Sequence, residues 1–265
     1  MAPKLKGFLT FVLIIIPIVM GILAWYLPPD WSFIAVMVLM LLFVAVLGVR
    51  ISKRLAGILV NERNLMSLTR FQLVMWTILI LSAFMIAAVA RIRGGGLGNA
   101  LDITLDKNLW ALLGISTASL VGSPLLQSGK TDQTPKSGEV AKAETALAAK
   151  GDPEPRDNIS NNRKGVLYAN GAISDAAFSD MFEGDEVGNT AYVDPAKVQM
   201  FFFTVVAGLS YGMELYQWIA KRGYIPADAK TAFPLVSGGL VAILGISHAG
   251  FLVNKSTTQT PTQGS

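Results

Sequence analysis

Apolar positions along the chain gather into six long runs, Phe8–Leu27, Phe33–Val49, Phe71–Ala90, Leu109–Leu126, Val198–Ile219 and Phe233–Val253, with Glu214 the only charged residue inside any of them. A helix needs roughly 20 mostly apolar residues to cross a hydrocarbon core about 30 Å thick, so each run predicts a spanning helix. The first two flank the turn Pro28-Pro29-Asp30 and predict a hairpin, with Asp30 or Ser32 placed to cap the second helix. The fourth is short, rich in Gly, Ser and Thr, and broken near its end by Pro124, which keeps a re-entrant helix open as the alternative to a full span. The first run follows Lys4 and Lys6 as a secretion signal would. Its apolar stretch exceeds the roughly 7–15 residues of such signals and no small-residue cleavage site follows, so a retained helix is expected.

Composition agrees with this pattern. Apolar residues make up 52% of the 265 and charged residues 15%, against roughly 25% charged in ordinary globular chains. The fold class expected is an all-α integral membrane protein with six transmembrane helices. Residues 1–50 form the hairpin and 51–68 a basic amphipathic linker. Residues 69–126 form one helix pair and 196–254 a second, separated by a cytoplasmic insert at 127–195 and followed by a disordered tail at 255–265. There is no cysteine, which excludes disulfides, thiolate metal sites and a cysteine nucleophile. His248 is the only imidazole, so a Ser-His-Asp triad or a multi-histidine metal site would rest on one residue. No enzyme activity, cofactor or metal is expected.

The formal net charge of +4 has no basic run with interleaved aromatics behind it, so nucleic acid is not expected as a partner. Topology accounts for it instead. Lys4 and Lys6 at the amino end, and Arg50, Lys53, Arg54, Arg63 and Arg70 between the second and third runs, place both regions in the cytoplasm by the positive-inside rule. Both termini are then cytoplasmic and the membrane is the plasma (inner) membrane. Arg91, Arg93 and Lys107, and again Lys221, Arg222 and Lys230, fall on the outer side against the rule.

The chain also repeats itself. Arg70-Phe71-Gln72 with Thr77 matches Lys197-Val198-Gln199 with Thr204, and Leu113-Gly114-Ile115-Ser116 with Ala118 matches Leu244-Gly245-Ile246-Ser247 with Ala249, at separations of 127 and 131. Ser67 and Asp194 stand three residues before each cation, where either can cap a helix. The matches imply two parallel copies of a helix pair related by a pseudo-twofold axis along the membrane normal. Chance likeness between segments drawn from a small apolar alphabet is the competing explanation.

Polar residues inside spans face protein or water. Gln72, Thr77, Ser116, Thr117, Gln199, Thr204, Ser247 and His248 are therefore the candidates either for lining a pathway or for packing helices together. Arg70 and Lys197 are expected to reach lipid headgroups. His248 takes the place of Thr117 in the second copy and reads as a neutral, hydrogen-bonded core histidine, with a proton sensor as the alternative.

The insert is far longer than an ordinary connection. Residues 127–162 read as flexible, with a short helix over 138–149 and a linker at Asp152-Pro153-Glu154-Pro155. Ser128-Gly129-Lys130-Thr131 is like the end of a phosphate-binding loop, but Pro124 stands where the first glycine belongs and a membrane helix precedes it. Residues 163–195 read as ordered, with a short strand at 165–168 and a helix capped by Ser174 that puts Phe178, Met181 and Phe182 on one face. This acidic element, with Phe178, Phe182, Glu183, Asp185 and Glu186, is expected to dock on Lys53, Arg54 and Arg63 and on Leu55, Ile58 and Leu59.

The stretch from Asn61 to Ser82, the Gly-Ile-Ser repeats and the Phe178–Glu186 segment together resemble multi-pass bacterial membrane proteins of uncharacterised activity. That resemblance covers most of the chain and implies membrane insertion alone. Two functions stand open. One is a small homo-oligomeric channel or passive pathway lined by the polar residues above. The other is a membrane scaffold or anchor whose insert recruits a cytoplasmic protein partner. The lipid bilayer is a partner in both.

Overall fold

The computed structural model describes residues 3–95, 98–149, 159–222 and 231–263. All six apolar runs are helices long and apolar enough to span a membrane: α1 (Pro3–Tyr26), α2 (Pro29–Ser52), α3 (Leu68–Arg93), α4 (Lys107–Ser128), α7 (Pro195–Arg222) and α8 (Gly238–Ser256). Two short helices, α5 (Ser137–Ala148) and α6 (Ile159–Asn162), lie in the insert. The only strands among the described residues are β1 (Ile103–Thr104) and β2 (Thr231–Ala232), which pair in parallel. The fourth run is a continuous helix of 22 residues through Pro124, long enough for a full span. The sixth starts at Gly238 rather than Phe233. Pro234 keeps the preceding residues extended, and the Ser237 hydroxyl accepts the Leu240 N–H at 3.1 Å to open the helix.

Helix starts repeat at nearly the same distance. Leu68 and Pro195 are 127 positions apart, and Lys107 and Gly238 are 131 apart. The residue before each start caps it. Ser67 accepts from Arg70 N, Asp106 from Asn108 N, Asp194 from Ala196 N and Lys197 N, and Ser237 from Leu240 N. Pro195 holds the first helical position of α7, where its missing N–H costs nothing.

The chain folds as two compact units. The first comprises residues 1–58, 73–113 and 205–242. Within it α1 and α2 form the expected hairpin, but neither Asp30 nor Ser32 caps α2 through a side chain; the N-cap position is Pro28. Ser32 is fully buried, and its hydroxyl donates to the Leu23 carbonyl of α1 at 3.2 Å and to the Leu27 carbonyl just after that helix at 3.1 Å, which ties the hairpin together. Gly208 and Gly212 of α7 admit Met75 and Leu79 of α3; a Cβ at Gly208 would stand 2.6 Å from Met75 Cε. Trp25, Tyr26, Trp31 and Trp110 are exposed at the ends of α1, α2 and α4, an aromatic belt of the kind that marks a membrane interface. Arg91 and Arg93, which run against the charge rule, are engaged: Arg91 donates to the Asp102 carbonyl at 2.8 Å and Arg93 to the Trp25 carbonyl at 2.5 Å. Glu214 is exposed on α7, one turn from Trp218.

The second unit comprises residues 59–72, 114–204 and 243–265, and it contains the insert. The insert shares an apolar core with the linker before α3, where Ala143 and Leu147 of α5 pack with Leu65, Ile159, Tyr168, Val187 and Ala191. A second cluster joins Leu68, Met181, Met200 and Phe251, with Leu59 and Phe182 against it. Gly165 lies at φ +62°, where Lys130 O approaches so closely that a Cβ would stand 2.2 Å from it.

Three expectations for this region change. The stretch 165–168 makes isolated bridges, Lys164 to Leu167 and Leu167 to Glu186, rather than a strand. The helix over 178–182 is replaced by two one-turn 3-10 helices, Ile173–Asp175 and Phe178–Met181, whose entrances are held by Asp175 and Asp180 instead of Ser174. The tail expected to be disordered is tied down through Gln263: Lys136 N donates to Pro261 O, Gln263 N to Thr134 O, and Thr260 is buried. The Asp152–Pro155 linker lies outside the described residues.

Candidate functional site

Two polar constellations stand out in the second unit. The first is built from the candidate residues of the spans. Gln72 is fully buried, and its Nε2 donates to Thr204 Oγ1 and lies 3.3 Å from His248 Nε2. His248 Nδ1 is 2.6 Å from Ser119 Oγ. The Gln72 amide and the Ser119 hydroxyl thus face opposite ring nitrogens of His248. Ser116, Ser123 and Ser247 are buried as well. Gln72 Oε1 and Ser247 Oγ have no protein partner among the described residues.

The other candidates lie elsewhere. Gln199, Thr77 and Thr117 are exposed on their helices. The polar pairs behave differently: Gln72, Thr204 and His248 are buried while Gln199, Thr77 and Thr117 are exposed, whereas Ser116 and Ser247 are buried alike. Ser119 was not singled out in the sequence, because its polar contact is with a residue 129 positions away.

The second constellation holds the insert in place. Asp185 accepts from Arg63 at 2.7 Å, from Lys255 at 3.0 Å and from Lys197 at 3.3 Å. Arg63 also donates to the Tyr168 and Asp185 carbonyls, each at 2.9 Å, and Lys197 to the Glu183 carbonyl at 2.5 Å. Burial would raise the Asp185 carboxyl, but the three cations Lys197, Lys255 and Arg63 outweigh it and hold the group well below the usual carboxylate range. Next to it, Glu186 is buried, pairs with Lys130 at 2.6 Å, and accepts the Gln259 and Thr260 N–H groups at 2.8 and 2.7 Å. Lys130 itself donates to Thr257 O at 2.7 Å.

The acidic element meets Arg63, and its other cations are Lys130, Lys197 and Lys255. Lys197 is buried in this clamp instead of reaching for headgroups, and Arg70 binds Glu62 and the Val60 carbonyl. Lys53 is an exposed residue in the left-handed conformation that closes α2, Arg54 lies in the turn after it, and Leu55 is 71% exposed. Phe182 packs in the apolar cluster and Phe178 stacks on its rim.

Fold and site together define an all-α multi-pass membrane protein with an ordered polar insert anchored on the ends of its own helices. Comparison with protein-family models, with curated proteins and with solved structures found no match.

Proposed function

We propose that the protein is a non-conducting, non-enzymatic scaffold of the inner membrane, with its insert and both termini in the cytoplasm, and that the insert recruits a protein partner. The observation that carries this reading is the clamp at Asp185. A segment of this length joined to its helices only at its ends would move freely. Here three cations converge on one carboxylate, and Glu186 fixes the carboxy-terminal segment beside it. Buried ion pairs cost desolvation and are better at fixing one arrangement than at adding stability. A surface held in one arrangement is what a docking protein recognises.

A passive pathway draws no support from the polar residues of the spans. Gln72 is spent on Thr204 and His248, while Gln199, Thr77 and Thr117 point away from that cluster. The paired helix starts and caps, at separations of 127 and 131, support descent from a duplicated helix pair and fit a structural role as well as a transport one.

The test has two arms. Purified protein in liposomes should give ion and small-solute flux no higher than protein-free vesicles. A benzophenone amino acid replacing Ala141, on the exposed face of α5, should yield one discrete adduct to a different protein on irradiation in cells. Flux abolished by Gln72→Leu would sink the scaffold reading, and so would the absence of any adduct from exposed insert positions.

A further inference from the structure

The 3-10 turn at Phe178–Met181 presents an exposed apolar side chain. Phe178 is 56% exposed. Its ring stands 5.3 Å from Phe182 and 6.1 Å from Phe201, and Phe182 and Phe71 stand 5.0 and 5.6 Å from Phe201. The depth of this ladder is set by α7. Lys197, in the clamp, marks the polar end of the helix. Phe201 follows four residues later, about 6 Å further along the axis at roughly 1.5 Å per residue. Phe202 beside it is 59% exposed and opens the outward row Val206, Leu209 and Met213 on the same helix.

A ring stacked on Phe201 thus lies on the membrane side of the charged layer, at a level where the helix itself presents apolar side chains. The turn is also chemically prepared for that level. Asp180 accepts the Ala177 and Met66 N–H groups at 2.8 and 3.0 Å, Asp180 N donates to Ala177 O, and Phe182 N donates to Ser179 O. Segments near hydrocarbon must satisfy their backbone groups internally, and this one does so for those donors. We propose that the Phe178 turn is seated in the lipid leaflet on the insert's side, as a short interfacial element that enters the acyl boundary without crossing it. Its partner is the phospholipid surface, and the stacking of Phe178 on Phe201, next to the exposed Phe202 of α7, is what identifies it.

The chain has no cysteine, so Phe178→Cys accepts a single nitroxide label in the full-length protein, reconstituted in phosphatidylcholine–phosphatidylglycerol vesicles. Leu209→Cys serves as the span control and Ser160→Cys as the insert-surface control. Collisional broadening should show the Phe178 label accessible to oxygen and several-fold less accessible to a nickel chelate than the Ser160 label. Nickel accessibility equal to that at Ser160 would overturn the proposal. Protection from both reagents would overturn it too, since that means a protein covers the ring. If the Leu209 label also met nickel, the spanning assignment itself would fail together with the proposal. Phe178→Trp, which keeps an aromatic ring, reads the same boundary should the cysteine variant not fold: its added emission should be quenched by brominated lipid and not by iodide, and the reverse pattern overturns the seat.

Discussion

The two helix pairs, α3 with α4 and α7 with α8, begin at matched positions, yet the side chains at those positions do opposite things. Arg70 binds the nearby Glu62 and Val60 carbonyl, whereas Lys197, 127 positions later, is buried against Asp185. Gln72 is sealed and Gln199 exposed; Thr77 is exposed and Thr204 sealed. Thr117 is exposed while His248, its counterpart, is the hub of the buried polar cluster. A strictly twofold arrangement would have made both contacts of each kind. The difference teaches that span length, capping and the buried serines Ser116 and Ser247 repeat, while the charged and amide contacts are concentrated around the insert and the helices that hold it.

The largest effect should come from the cations. Lys197→Met leaves Asp185 with one partner fewer in a buried setting, and breaking such a pair typically costs about 3–5 kcal/mol. Arg70→Met, at a half-exposed pair, should cost under about 1 kcal/mol. Thermal unfolding of the two variants in detergent, together with protease resistance of the insert, separates them. Equal effects would mean that the clamp is not what orders this region.

Acid should undo the same clamp from the other partner. Because the Asp185 carboxyl is held below its ordinary range, its contribution is fully present above the unfolded pKa of about 3.9 and is lost as the pH falls through the lower, folded value. Amide protection in residues 163–190, with each rate corrected for the intrinsic pH dependence of exchange, should therefore be flat from neutral pH down to about 4 and fall below it. Asp185→Asn should remove that step. Loosening that begins between about pH 5 and 7 would assign the switch to another group, since an ordinary carboxylate is already ionised there.

The apolar pattern made the six helices legible, including the uncertain fourth, because length and hydropathy are local properties of the sequence. The same was true of the caps at Ser67 and Asp194. What could not be read was which cation meets which carboxylate. Arg63 lies 122 positions from Asp185, and Lys130 lies 56 from Glu186. No spacing rule links them. The carboxy-terminal tail looked disordered for the same reason: its composition is polar and short of core residues, while the groups that hold it, Glu186, Thr134 and Lys136, belong to distant segments. The similar segments around Gln72 and Gln199 also pointed toward matched roles for the two glutamines. Their surroundings differ: Gln72 lies against Thr204 and His248, while Gln199 is exposed.

A smaller effect should separate those two glutamines. Gln72→Leu leaves Thr204 and His248 without one polar neighbour each in a buried site, and an unsatisfied buried group costs about 1–3 kcal/mol. Gln199→Leu, on an exposed helix face, should change stability by less than about 0.5 kcal/mol. Unfolding in a mixed detergent series measures both. Equal losses would mean that Gln199 also has a buried partner in the membrane.

The caps give the finest discrimination. Asp194 accepts two backbone N–H groups of α7 and the side-chain amide of Asn254 at 2.9 Å, while Ser67 accepts the Arg70 N–H at a long 3.4 Å. Removing a cap costs about 0.5–2 kcal/mol, and Asp194→Ala should fall at the upper end and Ser67→Ala at the lower. Asp194 also carries a negative charge at a helix amino terminus, which the serine does not. Raising the salt concentration should therefore shrink the gap between the two variants by screening that charge. A gap indifferent to salt would place the advantage of Asp194 in its contact with Asn254 rather than in the helix it opens.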